Sequence, residues 1–367
     1  MPPFAPLVAG LPATVPFVGP ETLERRRGVP FAARLGANES AFGPSPLAAR
    51  AMREAVGQVW KYGDAPSFDL SHALAAHHRT TPGSIMVGEG IDGLLGNLVR
   101  MMVAPGDAVV TSDGAYPTFN YHVAGFGGVL HKVPYRDDAE DPDALVARAH
   151  ATGARLLYLA NPDNPMGTWH DGTVIAAMLD RLPPDCLLVL DQAYAEFAPA
   201  SAIPDIAADD PRVIRMRTFS KAYGLAGARI GFAIGAPDLI AGFDRVRNHF
   251  GMNRTSQIGA LAALADQDWL AQAVAEVDRA RGRIAAIATD SGMTALPSAT
   301  NFVAVDTGRD GAFARRLVDA LATEGVFIRM PGTAPLNRCI RISCAPDPEL
   351  DILAGALPQA IQSITRA

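Results

Sequence analysis

The sequence predicts an α/β fold, with a large domain built on a mostly parallel sheet flanked by helices and a smaller α+β domain. Three observations lead to this prediction. The chain has 367 residues, more than a single hydrophobic core usually serves. Short apolar runs alternate with helix-length segments over residues 84–235, which is typical of parallel strands joined by helical crossovers. A stretch without proline, residues 244–289, separates this region from a shorter pattern of strands and helix.

Seven apolar runs are predicted as strands of the large domain. They are bounded by Gly, Pro, Asn or Asp, residues that favour turns. The predicted strands span residues 84–87, 108–111, 129–134, 155–160, 186–190, 212–217 and 229–234. Because ligands of open α/β sheets bind beyond the carboxyl ends of the strands, we expect active-site residues just after these runs.

The C-terminal part of the sequence predicts different elements. Residues 244–289 are rich in Ala, Arg and Asp and predict one long helix that bridges two domains. Strands at 301–306 and 339–344 flank an amphipathic helix at 312–324. These elements predict a compact α+β unit.

Domain boundaries follow from this pattern. The N-terminal arm, residues 1–46, has too little periodicity to fold alone, and we expect it to pack on the α+β unit or on a neighbouring subunit. We therefore predict a large, cofactor-binding domain at residues 47–245. The arm and residues 246–367 are predicted to form the small domain.

Composition narrows the class of function. Hydrophobic residues make up 49% of the chain, charged residues 19%, and the net charge is -6. No basic run interleaved with aromatic residues is present, which argues for a small-molecule partner and against nucleic acid. Three cysteines without a CxxC pair favour a reducing cytoplasm and no metal site. No signal peptide and no membrane span are predicted.

Lys221 is the first candidate for catalytic chemistry. Only three lysines occur in the chain, and this one follows a predicted strand. Thr218 and Ser220 precede it, and Arg229 follows eight residues later. Hydroxyls and a guanidinium bind a phosphate dianion, and a lysine amine can react with an aldehyde. A solvated surface lysine is the alternative, and these neighbours argue against it.

A carboxylate, a phenol and an amide follow two other strands. Strand 186–190 runs directly into Asp191, with Tyr194 three residues further on. A carboxylate beside a pyridine nitrogen keeps the ring protonated, and a phenol can donate to a ring hydroxyl. Asn164, in the turn-rich loop at 161–167, offers its amide to the same hydroxyl. Taken alone, a strand-terminal aspartate is more often a helix cap or turn residue.

A glycine-rich turn at residues 88–93 follows the first strand of the large domain and begins an apolar helix. Backbone N–H groups of Gly90, Ile91 and Asp92 at such a helix start can bind phosphate. The turn also matches the pattern GxGxxG, and Asp113 lies about twenty residues further on, as a dinucleotide site requires. A dinucleotide and any other phosphate-bearing cofactor would both place phosphate at this helix start. The turn therefore does not distinguish between them.

Pyridoxal 5′-phosphate (PLP) is the cofactor that uses all of these groups. Lys221 is expected to bind its aldehyde as a Schiff base and Asp191 its ring nitrogen. The competing hypothesis, an NAD-dependent oxidoreductase, leaves Asn164, Asp191 and the residues around Lys221 without a function. We therefore predict a PLP enzyme.

The motifs together resemble those of the fold-type I, class I/II PLP-dependent aminotransferases, and within them the histidinol-phosphate aminotransferases. The resemblance covers nearly the whole chain. The matching segments, in family order, are residues 35–46, 62–64, 88–93, 116–119, 161–167, 191–194, 218–221 and 341–343. An ordered set of this size is highly specific, and it implies the fold-type I architecture and transamination as the activity.

The resemblance implies a role for each cofactor-facing residue. Tyr116 should stack on the pyridine ring, Asn164 and Tyr194 should contact its 3′-hydroxyl, and Asp191 should pair with its nitrogen. The expected phosphate-binding groups are Gly90, the backbone of Ile91 and Asp92, Thr218, Ser220, Arg229 and, from a second subunit, the hydroxyl of Tyr62. A homodimer with shared active sites is therefore expected.

The resemblance also implies the substrate side of the reaction. Lys221 should move the donor's Cα proton, and 2-oxoglutarate should accept the amino group. Arg341 should bind the substrate's carboxylate or the phosphate of L-histidinol phosphate, with Arg329 assisting and Asn38 in contact. Histidine biosynthesis is the pathway this implies.

Three departures from the family pattern bear on the substrate. Phe17 replaces the tyrosine of an early Tyr-x-Pro-Gly element, so a hydroxyl expected near the substrate phosphate is missing. Residues 38–41 read Asn-Glu-Ser-Ala where the family has Asn-Glu-Asn-Pro, and residues 90–93 read Gly-Ile-Asp-Gly where it has Gly-Ser-Asp-Glu. The alternatives are an aromatic or broad-range amino-acid aminotransferase and a PLP-dependent decarboxylase related to threonine-phosphate decarboxylase. A noncatalytic relative is disfavoured, because no cofactor-facing residue is missing.

Overall fold

The computed structural model describes residues 2–12 and 18–366. Its helices are α1 Pro6–Ala9, α2 Pro20–Arg27, α3 Pro46–Ala55, α4 Phe68–His77, α5 Gly90–Met102, α6 Pro117–Gly125, α7 Pro142–Thr152, α8 Gly172–Leu179, α9 Pro237–Gly242, α10 Arg254–Ala265, α11 Gln267–Asp290, α12 Gly311–Thr323 and α13 Asp347–Arg366. Its strands are β1 Ala33–Arg34, β2 Ile85–Gly88, β3 Ala108–Ser112, β4 Val129–Val133, β5 Leu156–Ala160, β6 Leu187–Asp191, β7 Val213–Thr218, β8 Gly231–Ile234, β9 Thr294–Ala295, β10 Phe302–Asp306, β11 Val326–Phe327 and β12 Cys339–Ser343.

The seven predicted strands of the large domain form one sheet. Within the described residues its order is β2-β8-β7-β6-β5-β3-β4, and β8 alone runs antiparallel to its neighbours. The smaller sheet, β12-β10-β9, is antiparallel. The predicted fold class, a mostly parallel sheet with flanking helices plus a smaller α+β unit, is therefore confirmed.

The central strands are buried on both faces because helices cover the sheet from both sides. Every residue of β5 and β6 is buried, as expected for apolar strands inside a parallel sheet. Side chains alternate between the two faces. Tyr158 and Val189 face the core that includes α5, whereas Leu157 and Leu188 face the core that includes α7 and α8.

The N-terminal arm contacts the C-terminal unit. Strand β1 pairs in parallel with β11, with Ala33 opposite Val326. The next residues continue the contact, because the N–H of Leu35 donates to the carbonyl of Phe327 (2.7 Å) and the N–H of Ser343 donates to the carbonyl of Leu35 (2.8 Å). The arm thus lies between β11 and β12. The domain boundaries at 46 and 245 remain a prediction.

The single long helix predicted for residues 244–289 is wrong. Two helices, α10 and α11, occupy most of this stretch and meet at Asp266. The break has a local cause, since Asn253 and Asp266 each cap a helix start with their side chains, accepting from the N–H groups of Ser256 and Trp269. A composition rich in helix formers and free of proline does not reveal where such capping residues begin a new helix.

None of the helices within residues 2–12 and 18–366 combines the length and the apolar character that a membrane crossing needs.

Candidate active site

Lys221 lies beyond the carboxyl end of β7, where its amine meets the N-terminal arm. Its Nζ donates to the backbone carbonyl of Asn38 (2.9 Å) and lies 5.6 Å from the centre of the Tyr194 ring. Burial, and then the positive charge of Arg341, lower the pKa of Lys221 to about 8. A larger fraction of the amine is therefore uncharged near neutral pH, as a nucleophile or base requires.

The strand order brings the glycine-rich turn beside the residues around Lys221. Gly231 of β8 pairs with Gly88 on one side and with Thr218 on the other. A β-carbon at Gly231 would lie 3.0 Å from the backbone nitrogen of Ile91. The first turn of α5 and the end of β7 are therefore immediate neighbours.

Arg229 completes this neighbourhood. A β-carbon at Gly90 would lie 2.7 Å from Nη2 of Arg229, so glycine lets the guanidinium lie against the start of α5. Nη1 of Arg229 lies 3.4 Å from the hydroxyl of Ser220. The N-cap residue of α5, Glu89, makes no side-chain capping hydrogen bond. Helix N–H groups, a hydroxyl and a guanidinium thus meet at one point, a donor set suited to a phosphate dianion.

Asp191 ends β6 and is only 5% exposed. Its Oδ2 accepts from the hydroxyl of Tyr158 (2.6 Å) and its Oδ1 from the N–H of Ala193 (2.9 Å). Burial raises the pKa of Asp191, and these two hydrogen bonds together with the charge of Lys221 oppose the increase. The two hydrogen bonds hold the Asp191 carboxylate in one orientation at the end of β6, where it can accept a further hydrogen bond.

Asn164 and the two candidate arginines form a second group. Nη1 of Arg341 donates to Oδ1 of Asn164 (2.6 Å). Arg329 and Arg341 are joined by an antiparallel backbone bridge, and Nη2 of Arg329 donates to the carbonyl of Val18 (2.9 Å). Burial lowers the pKa of Arg341 to about 10. Its Nε is buried and lacks a hydrogen-bond partner among the described residues, so one donor is available for a ligand.

Asn38 connects Lys221 and Tyr194 with strand β12. It has a left-handed backbone (φ 54°) and is 3% exposed. Its Nδ2 donates to the hydroxyl of Tyr194 (3.1 Å), and its N–H donates to the hydroxyl of Ser343 (3.0 Å). Its carbonyl accepts from Nδ2 of Asn301 (3.1 Å) as well as from Lys221. The arm therefore joins Lys221, Tyr194 and β12.

Tyr116 and Tyr62 differ in their relation to these groups. Tyr116 precedes α6 and interacts electrostatically with Asp92, Asp191 and Arg229 in addition to a side-chain hydrogen bond with Thr118. Tyr62 is 77% exposed, and its ring lies 5.0 Å from that of Phe250. Phe17 falls outside the described residues.

Sequence reasoning missed two residues of this site. Tyr158 hydrogen-bonds to Asp191, and Asn301 holds the carbonyls of Asn38 and Glu39. A tyrosine inside a run of leucines was the available signal for Tyr158, because a buried hydroxyl requires a partner. Asn301 gave no such signal, since its contacts are more than 250 residues away along the chain.

The residues present fit PLP. An amine for the aldehyde, a buried carboxylate for the ring nitrogen and a glycine-dependent donor set for the phosphate lie at the carboxyl edge of one sheet. The fold and this site together define a PLP-dependent enzyme of fold-type I. The chain belongs to the family of class I and II aminotransferases, whose model matches residues 33–357.

Similar proteins agree on the class. The chain is 38% identical, over 90% of its length and 91% of the relative's, to a histidinol-phosphate aminotransferase of Anaeromyxobacter sp.. An aromatic amino acid aminotransferase of Mycolicibacterium paratuberculosis is 33% identical over 92% of this chain and 96% of its own. The crystal structure of histidinol-phosphate aminotransferase from Sinorhizobium meliloti in complex with pyridoxal-5′-phosphate superposes with a TM-score of 0.96 at 56% identity, covering 98% of both chains.

The NAD-dependent alternative is wrong. The strand that precedes the glycine-rich turn, β2, lies at the edge of the sheet beside the antiparallel β8. In a dinucleotide-binding domain that strand lies at the central switch point of a parallel sheet. Asp113, the candidate for ribose binding, instead pairs with Lys132 (3.2 Å).

Proposed function

We propose that this enzyme transfers the amino group of L-histidinol phosphate to 2-oxoglutarate, in histidine biosynthesis. The observation that carries the proposal is the pair of arginines, Arg329 and Arg341, bridged through their backbones beside Asn164. Two guanidiniums suit a phosphate dianion and also a dicarboxylate acceptor. The names of the relatives at 38% and 56% identity support the same donor.

Bound PLP supplies an aldehyde that reacts with amines and an electron-accepting ring. In this proposal Lys221 binds that aldehyde and, once displaced, removes the proton from the donor's Cα. Its lowered pKa supports both tasks, because each needs the uncharged amine. Asp191 accepts a hydrogen bond from the protonated ring nitrogen, and its burial strengthens that interaction.

The remaining residues hold the cofactor in position. Tyr116 stacks on the ring, and Asn164 and Tyr194 contact its 3′-hydroxyl. The groups proposed to bind the phosphate are Gly90, the N–H groups of Ile91 and Asp92, Thr218, Ser220, Arg229 and, from a second subunit, Tyr62. Asn38 contacts the substrate from the arm, and its hydrogen bond to Tyr194 supports this placement.

An aromatic amino-acid aminotransferase is the second candidate. The 33% identical relative with that name and the absence of the early tyrosine hydroxyl at Phe17 favour it. A donor panel with 2-oxoglutarate distinguishes the two. We expect kcat/KM for histidinol phosphate to exceed that for phenylalanine on the order of 100-fold, since one hydrogen bond to a charged group contributes about 1.5–3 kcal/mol.

Two outcomes of that panel contradict the proposal. Equal or faster turnover of phenylalanine assigns the chain to the aromatic enzymes. Release of carbon dioxide without an oxo-acid acceptor assigns it to the decarboxylases. The purified protein should be yellow, and its visible band should shift when the preferred donor is added.

We also propose a homodimer that shares its active sites. The supporting feature is an exposed apolar patch formed by Val56, Val59, Trp60, Tyr62 and Phe250, in which Trp60 and Tyr62 are each 77% exposed. Apolar side chains grouped on a surface mark interaction sites. A partner that covers this patch brings Tyr62 toward the second site, where its hydroxyl is expected to bind the cofactor phosphate.

Mixing two defective variants tests the shared site. In Tyr62→Phe we expect the Kd for PLP to rise about 10- to 100-fold through loss of one hydrogen bond to the phosphate. When refolded together at low PLP concentration, Lys221→Ala and Tyr62→Phe chains should regain activity, because one site of each mixed dimer is intact. Activity no greater than that of Tyr62→Phe alone places Tyr62 in its own subunit's site or outside any site.

A cytoplasmic location is proposed as well. Cys186, Cys339 and Cys344 are all free thiols and buried, a pattern suited to a reducing compartment. Fractionation of the producing cells should recover the activity with cytoplasmic markers, and recovery from an oxidising compartment would contradict the proposal.

A further inference from the structure

Tyr158 is a buried polar residue whose position is not explained by packing alone. It lies in β5 between Leu157 and Leu159, and its side chain is fully buried. Phenylalanine would fill the same apolar space without a hydroxyl. A buried hydroxyl without a partner is unfavourable, so its hydrogen bond indicates why tyrosine is present.

The sheet register directs that hydroxyl to Asp191. Ala160 of β5 pairs with Asp191 of β6, and Tyr158 lies two residues before Ala160 on the same face. The phenol therefore extends along the strand toward its carboxyl end, where its hydroxyl donates to Oδ2 of Asp191 (2.6 Å). The N–H of Ala193 donates to Oδ1 (2.9 Å), so both carboxylate oxygens are oriented by the protein.

The phenol ring is itself held in place. Phe119 stacks on it, with ring centres 4.7 Å apart and planes inclined by 20°. Phe119 is also fully buried and belongs to α6, the helix that follows Tyr116. The helix that begins directly after the expected ring-stacking residue thus also fixes the direction of the hydrogen bond to Asp191.

We propose that Tyr158 is a positioning residue, whose hydrogen bond keeps the Asp191 carboxylate ionised and oriented toward the cofactor's ring nitrogen. The inference rests on the proposed contact between Asp191 and that nitrogen. Burial raises the pKa of Asp191, and the hydrogen bond from Tyr158 is the first of the groups that oppose it, followed by the Ala193 N–H and the charge of Lys221. Glu140, Tyr116 and Tyr194 also interact electrostatically with Asp191. Without the phenol, the carboxylate binds a proton more readily and competes with the ring nitrogen for it.

Tyr158→Phe tests the proposal in the holoenzyme loaded with PLP that carries ¹⁵N in its ring. We expect the ring-nitrogen resonance to move from the position of a protonated pyridinium toward that of a neutral pyridine. We also expect kcat to fall roughly 10- to 100-fold, the effect of one hydrogen bond to a charged group, with little change in KM for 2-oxoglutarate. If Tyr158→Phe does not fold, Phe119→Leu should loosen the phenol and move the resonance in the same direction by less.

Tyr135→Phe is the matched control. It removes a phenol that donates to a different carboxylate, Oδ1 of Asp163 (2.8 Å). We expect it to lower the unfolding temperature and to leave the ring-nitrogen resonance unchanged. A Tyr158→Phe protein that behaves in the same way has lost only stability, and the proposal is then wrong.

Asp191→Asn distinguishes the proposed role of Tyr158 from the proposed contact between Asp191 and the ring nitrogen. If its ring resonance moves and that of Tyr158→Phe does not, the positioning role of Tyr158 fails while the contact of Asp191 stands. If Asp191→Asn leaves the resonance at the wild-type position, the proposed contact of Asp191 itself fails.

Discussion

Replacing Lys221 with alanine should reduce multiple-turnover transamination by at least about 10³-fold, since a positioned general base contributes about 10²–10⁴-fold and the covalent attachment is lost together with it. Burial lowers the pKa of Lys221 to about 8, beside the predicted cofactor groups. Steady-state rates at saturating donor and 2-oxoglutarate measure the effect. The variant should also lack the visible band of a lysine-bound cofactor.

Lys132→Ala is the control for this prediction. Lys132 is an exposed lysine that pairs with Asp113 (3.2 Å), and such surface ion pairs contribute little to stability. Its activity should match the wild type. A Lys221→Ala enzyme that retains full multiple-turnover activity would falsify the assignment of Lys221.

Replacing Arg341 with glutamine should raise KM for donor and acceptor by on the order of 10²–10³-fold, because truncating one partner of a buried, hydrogen-bonded charge pair costs about 2–5 kcal/mol. Its side chain approaches Asn164 (2.6 Å) and retains a buried, unpartnered Nε among the described residues. Initial rates over a wide range of each substrate, with the other saturating, separate KM from kcat.

Arg283→Gln provides the comparison for the arginine variant. Arg283 of α11 forms surface ion pairs with Asp347 and Asp351, and none of these three residues is a candidate site residue. Unchanged KM values are expected. If Arg341→Gln also leaves both KM values unchanged, Arg341 does not bind the anionic group of the substrate.

Much of the sheet could be predicted because its signals are local. Apolar runs bounded by turn residues gave all seven strands of the large sheet, with Leu187–Asp191 and Val213–Thr218 each within one residue of the prediction. The polar residues that follow these strands were visible for the same reason. Their convergence depends on the parallel order of the strands, which crossover connections favour.

The rest depends on contacts between distant parts of the chain. The carbonyl of Asn38 meets Lys221 across 183 positions, and no local pattern encodes such a hydrogen bond. Tyr158 reaches Asp191 only because Ala160 and Asp191 are in register. The two-helix arrangement of residues 254–290 was missed because the prediction rested on composition and the absence of proline, and neither marks the helix start that Asp266 caps.

The position of the N-terminal arm has a consequence for exchanging parts between related enzymes. Leu35 and Asn38 are hydrogen-bonded to the strands that carry or adjoin the arginines, while the carbonyl of Asn38 also receives the amine of Lys221. In a chimera that imports residues 294–343 to alter substrate choice, the arm of one parent must therefore pack against strands of the other parent. Such a graft needs residues 33–40 from the same parent, so the two segments form one unit of recombination.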